Sequence, residues 1–350
     1  MRIRRTLPIA LAVVSIAAAV TLTVQLRKHA PPEPARLLPG ADGFLYANFN
    51  WIRKANNGKP FFPVSHDPGY EHFIQETGFD YERDLEAVAF AVHYPEKWPG
   101  GGTGGAAPEA RFSEVLVGHF DGDKCLAYLK RTAQSVENYH SVDIFTIPIS
   151  GRTFRIAMLG VDIVGASNHD DPAVIRGMVD RSRRLASPFG GPALLRKYYK
   201  RVQLASPVWL VARIVPTAPE FDGWSHVFAK PADLVVSASY NPLHLPLRTG
   251  ALHLRAEAWA ANGEDAHEIA DKLNVFLAMF HSAEASVGSP GTDQEVKAAF
   301  DSLQVRQEDS RAEVYATLST GFFRKLVDST DQLPGIAPGA QSAAQPAPKQ

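Results

Sequence analysis

Apolar residues recur along this chain in two spacings, every second residue for strands and three to four residues apart for helices. Phe44 to Phe49 alternates small and apolar residues as a strand, and Pro68 to Glu76 reads as a short helix. Asp80 follows Gly78 and can cap the next turn through its side-chain oxygen. Leu85 to His93 and Phe112 to Phe120 are strand-like runs, read as a hairpin with the glycine-rich connection Pro99 to Pro108.

A unit then recurs. In its first occurrence, strand Phe112 to Phe120 leads into helix Lys124 to Glu137, strands Ile144 to Ile149, Phe154 to Leu159 and Ile163 to Ser167, and helix Pro172 to Leu185. Asp171 is placed to cap that last helix. In the second, strand Leu252 to Ala260 leads into helix Glu264 to Glu284, strands Ser302 to Arg306 and Ala312 to Leu318, and helix Thr320 to Val327. Between them lie helix Pro192 to Arg201 and strands Val208 to Val215 and Leu234 to Tyr240. The order predicts an α+β body, a mostly antiparallel sheet covered by helices on one face, with ferredoxin-like repeats as its specific form.

The ends read differently. Leu7 to Val24 is eighteen residues without a charge, preceded by Arg2, Arg4 and Arg5. That length just spans a hydrocarbon core of about 30 Å. We read residues 1–29 as an N-terminal signal anchor or transmembrane helix; Ala17-Ala18-Ala19 leaves cleavage open. Residues 30–36 are a Pro-rich extended spacer, and 330–350, rich in Ala, Pro and Gln, cannot bury a face and read as a disordered tail. The body divides into a first unit, 37–232, with the Gly-rich loop at 99–108, and a second, 233–329. The arginines ahead of the apolar run favour a cytoplasmic N-terminus. The expected location is therefore the bacterial inner membrane, single-pass, with the body facing the periplasm or the exterior.

Hydrophobic residues make up 45% of the chain and charged residues 21%, enough apolar surface for a folded core. The net charge of −1 points to no polyanionic partner, and nucleic acid is not expected. Cys125 is the single cysteine, so no intramolecular disulfide can form.

No motif specifies an activity. Gly100 to Gly105 sits between Pro99 and Pro108 with no helix start behind it to present N–H groups to a phosphate. His267 and Asp271 share a helix face but lack a third ligand, and a solvated face is the plainer reading. His119, Asp121 and Asp123 fail the calcium-loop spacing, and Asp123 is taken as a helix cap. Ser167 lacks the second glycine of a nucleophile elbow, and Cys125 reads as a structural thiol. Asp80, Glu82, Asp84 and Glu86 read as a solvent-facing strand edge. No catalytic, cofactor or metal residue is assigned.

One charge feature stands out. Asp171 to Val202 carries eight basic residues against two acidic ones, while Asn262 to Glu313 carries eleven acidic against four basic. These are two solvated faces attracting each other within the fold, or a basic surface meeting anionic lipid headgroups or an envelope protein through Arg181, Arg183, Arg184, Arg196, Lys197, Lys200 and Arg201.

The stretches Leu38-Pro39-Gly40-Ala41-Asp42-Gly43-Phe44-Leu45-Tyr46 and Thr77-Gly78-Phe79-Asp80-Tyr81-Glu82-Arg83-Asp84-Leu85 resemble those of uncharacterised bacterial exported proteins with one N-terminal membrane segment and repeated α+β units. The resemblance implies an envelope location and a duplicated fold, and carries over no catalytic residue. The leading expectation is a non-catalytic binding or scaffolding module. The alternatives are an exported hydrolase assembled from scattered residues such as His66, His72, His119 and Asp121, and a carrier of an apolar ligand in the cleft between sheet and helices.

Overall fold

A computed structural model describes residues 30–55, 66–95, 110–149, 151–183, 191–216, 225–241, 251–286, 294–319 and Gly321. The anchor at Leu7 to Val24, the 99–108 loop, the 330–350 tail and nearly all of the helix expected at Thr320 to Val327 lie outside those residues. No helix among the described residues is long and apolar enough to cross a membrane.

The strands are β1 (Gly43–Asn48), β2 (Leu85–His93), β3 (Arg111–Gly118), β4 (Ser135–Tyr139), β5 (Val142–Ile149), β6 (Arg152–Met158), β7 (Ile163–Ser167), β8 (Val208–Ile214), β9 (Ala232–Asn241), β10 (Ala251–Trp259), β11 (Gln304–Glu308) and β12 (Arg311–Ser319). The helices are α1 (Glu33–Leu37), α2 (Phe49–Ala55), α3 (Pro68–Thr77), α4 (Tyr81–Asp84), α5 (Gly122–Thr132), α6 (Ala173–Ser182), α7 (Ala193–Tyr198), α8 (Gly263–Ser286) and α9 (Gln294–Asp301). The α+β class and the antiparallel sheet are as expected. Among the described residues twelve strands form one sheet in the order β11-β12-β10-β9-β8-β1-β2-β3-β7-β6-β5-β4, with every neighbouring pair antiparallel.

The wiring reads the same in both directions from the β1–β8 pair. β1, β2 and β3 run outward, α5 carries the chain to the edge strand β4, and β5 to β7 return to lie beside β3. β8, β9 and β10 likewise run outward, α8 and α9 lead to the edge strand β11, and β12 returns to lie beside β10. β10, the helices and β11, with β12 inserted between the two strands, make a split β-α-β arrangement. The first half returns through the three strands expected, β5 to β7, after the additional edge strand β4. By sheet neighbourhood β8 stands with β9 and β10, the strands that follow it in the chain. At the centre Leu45 stands opposite Leu210, flanked by Phe90 and Val236 at corresponding positions.

Helices cover both faces, where one was expected. Register shows which residues share a face: Phe44 pairs with Ala91 and Val211, Ala89 with Val115, and Val211 with Val235. On this first face Phe44, Ala89, Val115, Trp209 and Val211 are buried in a core that α1, α6 and α7 complete with Leu37, Ile175, Met178 and Leu195. Gly165 admits α6, since a Cβ there would stand 2.7 Å from Leu159 Cδ1 and 3.1 Å from Met178 Cε. On the second face Ile269 and Ala270 of α8 bury Ala232, Ala258 and Ala312, and α5 contacts β5.

Several local expectations change. The extended spacer gives way to α1, whose Pro34 lies in the first turn, where its missing N–H costs nothing, and whose Ala35 and Leu37 are buried. The helix expected to run to Glu137 stops at Thr132, because Ser135–Tyr139 is an edge strand. Its cap is Asp121, which accepts the Lys124 N–H at 3.1 Å, and not Asp123. The strands expected to be a solvent-facing edge around Asp84 lie mid-sheet, with β2 flanked by β1 and β3. Asp84 is itself buried: its Oδ2 accepts from Arg83 (2.7 Å) and from the Asp80 N–H (2.9 Å), and Arg83 holds its carboxyl below the usual range.

Candidate binding surface

The central strands bury one face and leave the other half open, although both are apolar. Phe44, Tyr46, Ala89 and Val211 are buried on the first face. On the second face of the same strands Val88, Phe90, Val92, Phe112, Leu210 and Val236 are only half-buried, and Leu45 at the centre is 39% exposed. A sheet with one solvated face ordinarily makes that face polar. The Phe90 and Phe112 rings lie 5.2 Å apart. Glu114 is the carboxylate opposite Phe90 in the register, and burial raises its pKa.

Helices bound this strip. Asp265 and Ile269 of α8 line a small recess with the Ala229–Pro231 turn leading into β9, and Lys230 pairs with Asp265 at 2.5 Å. That side of α8 therefore looks toward the middle of the sheet. Phe276, seven residues beyond Ile269, and Met279, fourteen beyond Asp265, continue the same side and are 56% and 66% exposed. Along α8 Ile269 is buried, Leu273 packs against the same cluster, and Phe276 is largely exposed. At one end α2 sets Trp51 edge-on to Tyr240 at 5.2 Å. At the other, Phe228 packs with Ile214.

Polar groups converge elsewhere, at the end of β2, β3 and β7. His93 Nε2 lies 2.9 Å from Ser113 Oγ, which lies 2.9 Å from Ser167 Oγ, and that hydroxyl lies 3.1 Å from the Phe112 carbonyl. The His169 ring stands 5.0 Å from that of His93, and its Nδ1 accepts the Asp171 N–H at 3.1 Å. Ser113 and Ser167 are almost fully buried. Ser167, weighed in the sequence as a nucleophile, reaches the His93 ring only through Ser113, accepts the His169 N–H at 3.1 Å, and is buried away from any substrate. His93 and Ser113 escaped the sequence reading because nothing in their spacing links them to Ser167.

The other residues singled out disperse. His66 pairs with Glu71 (2.5 Å) and approaches Glu82 (3.7 Å), His119 lies 3.7 Å from Glu86, His72 is exposed, and Asp121 caps α5. His267 and Asp271 pair at 3.3 Å on an exposed stretch of α8, and no metal-binding group of three side chains occurs among the described residues. Cys125 is buried against the Thr77 carbonyl, and burial raises its thiol pKa.

The basic run splits. Arg181 donates to the Gly177 carbonyl (3.0 Å) and Arg183 to that of Ser141 (3.2 Å). Lys197 pairs with Asp233 (3.3 Å), and Arg201 stacks over Trp259 (4.6 Å). Arg196 and Lys200 are exposed, and Arg184 lies outside the described residues. The run lies with α6 and α7 on the first face and the acidic α8 on the second. Among the described residues Asp265 and Glu268 pair with Lys230 and Lys272, not with the basic run.

No family model matches the chain, and no curated protein matches it. Solved structures similar to it include crystal form I of TP0453, at a TM-score of 0.43 and 10% identity, covering 86% of this chain and 98% of that one. Crystal form III of TP0453 is similar at a TM-score of 0.40 and 11% identity, covering 85% and 99%.

Proposed function

We propose that this chain is a binding protein without catalysis and that its ligand is an elongated apolar molecule held along the second face of the sheet. The observation that carries this reading is the strip around Leu45, apolar where a solvated sheet face would be polar. Its strands are interior to the sheet, so their backbone groups are already paired and offer a ligand little but hydrocarbon contact. Covering such a surface is favourable by roughly 25 cal/mol per Å². Phe276 and Met279 on α8 would close over the ligand from one side.

The same proposal places the body at the bacterial inner membrane, facing the periplasm or exterior, with Leu7 to Val24 as its single span. It also takes the two halves as a duplicated unit of ferredoxin-like kind; the shared wiring and the split β-α-β of the second half support it. Among the described residues of the run, Arg196 and Lys200 are exposed cations that could meet anionic headgroups or an envelope protein.

The test is titration of the full chain in nanodiscs with a fluorescent fatty-acid analogue. Leu45→Glu and Leu210→Glu are expected to weaken binding at least about tenfold, since a charge forced beneath hydrocarbon costs more than 1.4 kcal/mol. The unfolding midpoint should fall less than binding does, because Leu45 is 39% exposed and Leu210 only half-buried. Undiminished binding in both variants would refute the groove as the site.

A further inference from the structure

We infer that Glu114 anchors a positively charged end group, so that the ligand of the apolar strip is an amphiphile of the alkylammonium kind. The inference rests on reading that strip as a binding groove. One row of strand partners crosses the second face: Ala256, Val236, Leu210, Leu45 and Phe90 lead to Glu114. Beyond it stands Ala166 of β7, and Phe112 and Leu116 lie two residues to either side along β3. Among the described residues, the paired second-face positions from β7 through β3, β2, β1, β8, β9 and β10 to β12 carry no other charge. Glu86, at the irregular start of β2, has His119 at 3.7 Å. The Glu114 carboxylate has no ion-pair or hydrogen-bond partner among the described residues.

A carboxylate set in hydrocarbon favours a partner of opposite charge, because burial without one is costly. Its neighbours add to the same preference. Phe90 stands directly opposite, where paired Cβ atoms lie about 4.5–5.5 Å apart. The Phe90 ring is 5.2 Å from that of Phe112, and aromatic faces attract cations. Burial raises the Glu114 pKa with no cation working against it, and an incoming ammonium favours the charged form. The side chain is half-buried, so a ligand can reach it. Glu114 lies two strands from Leu45, roughly 10 Å at the usual strand spacing. A tail resting on Leu45 therefore brings its end group to the carboxylate.

The test uses three fluorescent probes with one tail, ending in a primary ammonium, a hydroxyl or a carboxylate. Each is titrated into the full chain in zwitterionic nanodiscs, with protein-free nanodiscs as the blank. The ammonium probe is expected to bind at least about tenfold tighter than the carboxylate probe, with the alcohol between them. Glu114→Gln should bring the three within about threefold of one another, while Glu86→Gln should leave their order in place. Equal affinities in the parent chain, or an ammonium preference that persists in Glu114→Gln, overturns the inference and leaves the groove standing. If Leu45→Glu and Leu210→Glu weaken none of the probes, the groove falls and the inference with it. Should Glu114→Gln fail to fold, Glu114→Leu, which suits the apolar surroundings, makes the same comparison.

Discussion

His93 couples the fold to pH with a definite sign. Its folded pKa, near 4, lies below the ordinary value of 6.5. Between those values the unfolded chain holds a proton that the folded chain does not. The stability His93 contributes is present above pH 6.5 and declines as pH falls toward 4, by at most about 3 kcal/mol. Urea midpoints measured across that window should slope downward toward acid in the parent chain and flatten in His93→Gln. Gly165 is the other residue with little latitude. Gly165→Ala drives a Cβ into Leu159 and Met178, and a loss of about 1–3 kcal/mol is expected as a lowered melting temperature. Neither role was readable in sequence: Gly165 was part of an unremarkable strand, and His93 meets Ser113, 20 residues on, and through it Ser167, a further 54 on.

Among the elements, caps and edges separate what patterning reveals from what it hides. Asp121→Ala should lower stability by about 0.5–2 kcal/mol through loss of the α5 cap, while Asp123→Ala should change little; thermal melts of the pair distinguish them. Strands with sustained apolar character, such as β2, β7, β8 and β10, were legible because burial imposes the pattern. β4 was not. Its sequence, Ser-Val-Glu-Asn-Tyr, sits at a sheet edge where most side chains meet water, so nothing obliges apolar residues to alternate. β11 at the opposite edge, Gln-Val-Arg-Gln-Glu, is similarly short and polar. Such edges discourage pairing with another sheet. Half of the binding strip was visible as apolar strands; that their second face stays uncovered depends on where α5 and α8 land, which no local pattern encodes.

At the scale of the molecule, the largest core ignores the boundary between the halves. Trp209 and Val211 of β8 are buried with Phe44 and Tyr46 of β1, and the Tyr46 and Trp209 rings stack at 5.6 Å. A fragment ending at residue 204 would strip β1 of that partner and lay Phe44 and Tyr46 bare. It is expected to lack a cooperative thermal transition by circular dichroism, where the whole body is expected to show one. If such a fragment melts cooperatively, the halves are independent and the shared core is secondary.

The continuity of the sheet also shapes what can rest on it. Neighbouring strands rotate by about 20–25°, so from β2 through β1 and β8 to β9 the direction turns by roughly 60–75°. The floor around Leu45 is therefore a saddle, and the line of closest contact runs diagonally across the strands. A stiff planar molecule laid on a saddle touches it near one point. A hydrocarbon tail with freely turning bonds can bend with the surface and keep contact along its whole length.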